Sequence, residues 1–235
     1  MASQHILLVL TSADRMGTKP EPTGAWLEEA VAPYYAFVDA KYDVTVASPL
    51  GGAVPMDPTS LQPENLTAST RRFEADAKAQ HALAHSVKLS SVVLDEYAAI
   101  FFPGGHGTME DFPIDASVRA AVEHFFVAGK PVASVCHGPA ALVAATNGRG
   151  EPLVKAHRFT CFSDEEEALV GLADKVPFLL QSKLTSLGGR ASIAPAFSPH
   201  VMVDRNLITG QNPASSIPAA EAVIHALRAR QSRAA

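Results

Sequence analysis

Short, nearly unbroken apolar runs recur along the chain with helix-length segments between them, and this alternation limits the fold more than any other feature. The runs are His5 to Thr11, Asp43 to Ser48, Ala98 to Pro103 and Pro131 to Val135. A strand with one wet face alternates apolar and polar residues; these runs are apolar at successive positions, the pattern of strands covered on both faces. Helical spacing falls between them. One stripe holds Leu27, Val31, Tyr34 and Val38, with Pro33 expected to bend the helix, and a second runs from Pro113 through Val118, Val122, Phe125 and Phe126. A last helix is predicted with Asn212 as cap and Pro213 at its first position, repeating Ile217, Ala220, Ile224 and Leu227, with Arg228 and Arg230 near its negative end. Strands alternating with helices imply parallel units joined by right-handed crossovers, hence a three-layer α/β/α sandwich around a doubly wound, mostly parallel sheet.

The 235 residues are expected to form one domain, 1–235, with an elaborated region at about 49–97. There Gly51-Gly52, Pro55, Pro58 and Pro63 precede a polar helical segment from Arg71 to His85, which reads as a long loop carrying a surface helix. A net charge of −5 without a Lys/Arg block argues against nucleic-acid binding and anionic-membrane attachment, both of which need clustered cations. The first apolar run, Ile6 to Leu10, is too short for a signal segment and leads into Asp14 and Arg15, and no stretch approaches a membrane span. Cys136 and Cys161 are the only cysteines and form no CxxC pair, which disfavours a disulfide framework or a cysteine-rich zinc site and suits a reducing, cytoplasmic location.

The chemistry concentrates in Ala133-Ser134-Val135-Cys136-His137-Gly138-Pro139-Ala140. The apolar run delivers Cys136 to a strand-to-helix turn, where Gly138 is expected to permit the tight path and Pro139 to open a helix through Ala140, Leu142 and Val143. A helix N-terminus and an adjacent imidazolium would each lower the thiol pKa. A buried cysteine is ordinarily an inert small hydrophobe, and it is the company of His137, Gly138 and Pro139 that favours a nucleophile elbow with sulfur in place of a hydroxyl.

Three further stretches supply partners. Pro103-Gly104-Gly105-His106-Gly107-Thr108 follows the Ile100-Phe101-Phe102 strand, and its glycines would let backbone N–H groups face a substrate oxygen; the alternative is a plain glycine-rich turn. In Ser163-Asp164-Glu165-Glu166-Glu167 the spacing of Ser163 and Glu166 fits a capping box, which makes Glu165 and Glu166 local stabilisers and leaves Glu167 the freer carboxylate to orient a histidine. Glu28 and Glu29 lie just after the first strand; one is expected to face solvent and the other to approach Cys136 as a protonated acid. His106 and His137 come with no HExxH and no closely spaced ligand set, so no metal is expected.

Taken together these residues resemble the ThiJ/PfpI superfamily, and within it the heat-shock-protein-31-like glyoxalase III branch. The similarity covers nearly the whole chain, through Leu10-Thr11-Ser12, Thr23-Gly24 to Glu29 and Pro33, Ala47 to Gly52, Asp57-Pro58 with Ser60, Pro103 to Gly107, Val135 to Pro139, Phe162 to Glu167 and Thr209 to Ser215. The resemblance implies a class I glutamine-amidotransferase-like domain, a flavodoxin-like sandwich with a nucleophile elbow. It also implies roles: Cys136 as nucleophile, His137 as its acid/base partner, Glu167 orienting His137, Glu29 as the acid beside the thiol, Gly105 and His137 as oxyanion-binding N–H groups, and Gly104 and His106 beside them. The activity implied is metal-free, glutathione-independent and cofactor-independent conversion of methylglyoxal or a similar 2-oxoaldehyde to D-lactate or the corresponding 2-hydroxy acid. The alternatives left open are a holdase chaperone that binds unfolded clients through an exposed apolar surface, a cysteine peptidase or amidohydrolase of the same superfamily, and a redox sensor, since an exposed low-pKa thiolate oxidises readily; related proteins are compatible with a homodimer. A late His-x-Glu pair, needed for glutaminase activity, is missing here, and residues 49–97 are too short for the metal-bearing segment of longer branch members.

Overall fold

The computed structural model describes residues 5–17 and 21–234. Seven strands form the central sheet: β1 His5–Val9, β2 Asp43–Ser48, β3 Val87–Lys88, β4 Ala99–Phe102, β5 Val132–Val135, β6 Val201–Asp204 and β7 Leu207–Gly210. Their spatial order is β6-β7-β5-β4-β1-β2-β3, parallel throughout except for the antiparallel β6/β7 hairpin at one edge. The helices are α1 Leu27–Asp39, α2 Ala68–Glu74, α3 Ala77–Ala84, α4 Thr108–Asp111, α5 Ala116–Val127, α6 Asp164–Leu169, α7 Leu180–Ser186 and α8 Ser216–Ala234.

The continuous apolar runs become the buried central strands because alternate side chains feed two separate cores. Ile6, Leu8, Phe101, Ala133, Val135 and Ile208 pack on α1, α3 and α8. Leu7, Val9, Ile100, Phe102, Val132 and Leu207 pack on α5 and α7. These are the three layers expected. Parallel register sets Phe102 opposite Ser134 and Gly210 opposite Val135. The segments leaving β4, β5 and β7, beginning at Pro103, Cys136 and Gln211, therefore emerge together at the carboxyl edge, where ligands bind in such sheets.

Several local expectations change. One continuous helix, α1, holds Pro33 inside it. Proline has no N–H, so the carbonyl of Glu29 loses its helical donor. Helix α5 begins at Ala116, three residues after Pro113, because Asp115 Oδ1 accepts the N–H groups of Ser117 and Val118 and sets the start there. The polar segment at 71–85 is two helices, with Asp76 capping the second. Asn212 does not cap with its side chain, which donates to Glu166 Oε1 and the Ser198 carbonyl. The β6/β7 hairpin was not among the expected strands; its turn places Arg205 at φ +58°. Among the described residues no helix is long and apolar enough to cross a membrane.

Candidate active site

At the end of β5 the chain turns sharply, and Cys136 itself adopts φ +59°, a conformation that L residues occupy only under constraint. The constraint is visible: the Cys136 N–H donates to the Gly210 carbonyl at 2.9 Å and its carbonyl accepts the Phe162 N–H at 2.8 Å. The role expected of Gly138 therefore shifts. Gly138 does not supply the left-handed turn; it lets the chain pass against β4, where a Cβ would overlap the Phe102 carbonyl oxygen. The elbow leads into a single 3-10 turn, Gly138–Leu142, in place of the expected helix, so the dipole that was to activate the thiol is small.

His137 Nδ1 lies 3.3 Å from Cys136 Sγ, and His137 Nε2 lies 2.7 Å from Glu167 Oε2. His106 Nε2 meets the other oxygen, Oε1, also at 2.7 Å. A carboxylate only accepts, so both imidazoles place their proton on Nε2, and His137 presents a bare Nδ1 lone pair to the sulfur. Burial, followed by His106, moves the His137 pKa down to about 4, which keeps this ring neutral near pH 7. Burial alone would push the Glu167 carboxyl up; the hydrogen bonds from His106 and His137 outweigh it and hold the pKa down to about 2. Glu167 is aimed by α6, whose first turn is fixed by the Ser163/Glu166 capping box. Glu166 is fully buried and also accepts from the Phe197 N–H, Gln211 and Asn212.

Glu29 reaches the sulfur from the other side. It is 0% exposed, and its Oε2 accepts the Gly104 N–H at 2.8 Å. Its Oε1 is buried without a conventional hydrogen-bond partner, and the thiol that approaches the carboxyl is that of Cys136. Burial pushes Glu29 up to about 8 against the opposing pull of Cys136 and Gly104, so it carries a proton at neutral pH. Burial, with Glu29 next, also raises the Cys136 pKa, where the sequence suggested a lowered one. Two acidic groups in one dry site cannot both ionise freely. Burial leaves both protonated near pH 7, so Glu29 faces the thiol as a neutral acid and not as a repelling carboxylate. Only glycine fits between them: a Cβ on Gly104 would lie 2.6 Å from the His137 nitrogen and 2.7 Å from Glu29 Oε2.

The sulfur lies at the floor of a cavity of about 660 Å³. Neither of the two glutamates faces open solvent as expected for one of them: Glu28 is 9% exposed, hydrogen-bonds the Thr67 hydroxyl and joins the cavity wall. The cavity is lined also by Gly105, His106, His137 and the segment containing Asp57, Thr59, Glu64, Asn65 and Thr67. Among the described residues neither the Gly105 nor the His137 backbone N–H has a protein acceptor. The sequence showed no closely spaced metal-ligand set, yet the fold makes one: His106, His137 and Glu167 each offer an atom, all within 4.8 Å of one another. Here both carboxylate oxygens are already taken by imidazole N–H groups, which accounts for the trio without an ion.

The elbow cysteine, its histidine and the buried glutamate fall inside a recognised family pattern, which matches residues 23–226 and is described as the DJ-1/PfpI family. The chain belongs to the DJ-1/PfpI family. It is 30% identical over 241 residues to the glutathione-independent glyoxalase HSP31 of Saccharomyces cerevisiae, with 97% of this chain and 100% of that one covered. The crystal structure of glyoxalase III from Candida albicans superposes with a TM-score of 0.86 at 27% identity, covering 94% of this chain and 96% of that one. The Rapid Encystment Protein 24 KDa of Francisella tularensis gives a TM-score of 0.91 at 37% identity, covering 95% and 98%. In this DJ-1/PfpI member parts of the cavity went unseen in the sequence, among them Phe197 and the wall formed by residues 57–67. Neither has a periodic or motif signature; Asp57-Pro58 appeared only as a landmark of resemblance.

Proposed function

We propose that the protein is a glutathione-independent glyoxalase that converts methylglyoxal or a similar 2-oxoaldehyde to D-lactate or the corresponding 2-hydroxy acid. The observation that carries this reading is the pairing of Cys136 with a proton-bearing Glu29 on one side and the bare Nδ1 of His137, 3.3 Å away, on the other. The names of the Saccharomyces and Candida relatives support it.

In the proposed sequence the Cys136 sulfur attacks the aldehyde carbon, its thiol proton passing to Glu29 as Glu29 gives its own proton to the new hemithioacetal oxygen. His137 Nδ1 removes the hydrogen from that carbon, and the electron pair moves toward the ketone carbon to form an enediol. The ketone oxygen takes up the proton that His137 Nδ1 carries, held meanwhile by the N–H groups of Gly105 and His137 with His106 alongside. A proton returned to the second carbon, with loss of the hydroxyl proton from the first, leaves a thioester. Water hydrolyses it, releasing the 2-hydroxy acid and the thiol. The aldehyde carbon is oxidised as the ketone carbon is reduced, so electrons balance within the substrate. Glu167 keeps His137 in the required tautomer and Gly104 holds Glu29. The test mixes the wild type and Cys136→Ala with methylglyoxal. Formation of D-lactate by the wild type alone is the expected outcome; equal production, or none from either, rejects the assignment.

A further inference from the structure

Residues 192–200 lead into β6 without regular structure, yet buried side chains bolt them in place. Gln211 Oε1 accepts the Ala194 N–H at 2.9 Å and Gln211 Nε2 donates to the Ala194 carbonyl at 3.1 Å. Asn212 Nδ2 donates to the Ser198 carbonyl at 2.8 Å, and Glu166 Oε1 accepts the Phe197 N–H at 2.8 Å. Glu166, Gln211 and Asn212 are all fully buried. The residue so held, Phe197, sits at φ +59°, and it is 49% exposed.

A large aromatic in a left-handed backbone conformation, half in water, adds little to the core. Strain of this kind persists where surrounding structure imposes it, and it gathers at ligand-binding sites. Phe197 lines the cavity; its ring centroid lies 6.3 Å from that of Phe162, which in turn lies 4.6 Å from the His137 ring. Val170, Leu172 and Pro213 add to the apolar lining of the cavity, and Glu28, Asp57, Glu64 and Thr67 to its polar lining. A 2-oxoaldehyde bound at Cys136 places the substituent on its ketone carbon against this lining, and the Phe162 and Phe197 rings are the apolar part of it that leads away from His137.

We propose that Phe197 is a specificity-determining residue: with Phe162 it forms the apolar seat for that substituent, favouring aromatic and alkyl 2-oxoaldehydes over glyoxal, which has only hydrogen there. The substrate part rests on the glyoxalase reading; the apolar seat does not. Two measurements separate them. In the first, kcat/KM is determined for glyoxal, methylglyoxal and phenylglyoxal with the wild type, Phe197→Ala and Phe197→Leu. The expected result is a loss of about tenfold or more for phenylglyoxal in Phe197→Ala, carried mainly by KM, with less than about threefold change for glyoxal and partial retention in Phe197→Leu. In the second, alkylation of Cys136 by iodoacetamide is compared with that by 2-iodo-N-phenylacetamide. Phe197→Ala is expected to lose the preference for the phenyl reagent while keeping the iodoacetamide rate. If no 2-oxoaldehyde is turned over by the wild type, the glyoxalase reading fails and the alkylation ratio still decides the seat. Equal losses with every substrate and both reagents, or no change in the alkylation ratio, overturn the proposal.

Discussion

Glu29 combines full burial with a single conventional hydrogen bond, from the Gly104 N–H, and burial moves its pKa from an ordinary 4.5 to about 8. The same burial that keeps it protonated at neutral pH has a cost in stability. Below about pH 4.5 it is protonated in both folded and unfolded chains and contributes no pH dependence. Between about 4.5 and 8 the folded protein binds a proton that the unfolded chain has released, so stability falls as pH rises through that window, by up to about 1.4 kcal/mol per pH unit, and levels off above it. Glutamine is close in shape, accepts the Gly104 N–H through its carbonyl and donates to the sulfur, but it cannot transfer a proton. Glu29→Gln is therefore expected to lower kcat by about 10²-fold or more, the range general acid–base catalysis supplies. It is also expected to unfold at a higher temperature than the wild type at pH 8 while matching it near pH 4.5. Thermal melts across that range with parallel turnover assays check both; a stability difference independent of pH would mean that Glu29 is not the titrating group.

At the scale of elements, the site depends on how closely the β5 elbow passes the end of β4. Gly138 marks the closest approach, because an added Cβ would overlap the Phe102 carbonyl oxygen, and backbone cannot move aside as a side chain can. Gly138→Ala is expected to cost about 3 kcal/mol or to prevent folding, at the upper end for overpacking a dense interior. Gly148, with nothing within 4 Å of an added Cβ, is the matched control, and Gly148→Ala is expected to change stability by less than about 0.5 kcal/mol in denaturant unfolding. The strands were legible because burial on both faces writes itself as consecutive apolar residues, as in Ile6 to Val9 and Ile100 to Phe102. The Ser163/Glu166 capping box was legible because both members lie within one turn. Features set by distant contacts were not. Glu28 was expected to be as exposed as an ordinary helical glutamate, and it is buried because the Thr67 loop closes over it. The raised Cys136 pKa was hidden because burial beside a second acid depends on packing that no local motif records. Asn212 has the spacing of a cap, yet Glu166, forty-six positions earlier, takes its side chain.

For the whole molecule, the sheet topology brings segments remote in sequence to one carboxyl edge, and the cavity they enclose has a definite electrical character. Its lining residues include Glu28, Asp57 and Glu64, and none of them is lysine or arginine. A neutral 2-oxoaldehyde enters without penalty, whereas an anion finds no counter-charge. At separations of about 4 Å, repulsion between unit charges is about 1 kcal/mol in water and about 4 kcal/mol at the effective dielectric of a protein surface. Since about 1.4 kcal/mol is a tenfold change in an equilibrium constant, even the weaker end of that range is felt in substrate selection. Glyoxylate, an aldehyde of similar size carrying a carboxylate, is expected to protect Cys136 from iodoacetamide at least about fivefold less well than methylglyoxal at low ionic strength. The gap should narrow as salt is raised, because the outer carboxylates are screened. The 2-hydroxy acid formed in the proposed reaction bears the same charge, so D-lactate is expected to be a weak product inhibitor. Glu64→Gln, which removes a carboxyl group that is hydrogen-bonded to none of the sulfur's partners, should strengthen protection by glyoxylate without altering that by methylglyoxal. Equal protection by the two aldehydes at every salt concentration would show that the acidic wall has no influence on what reaches the sulfur.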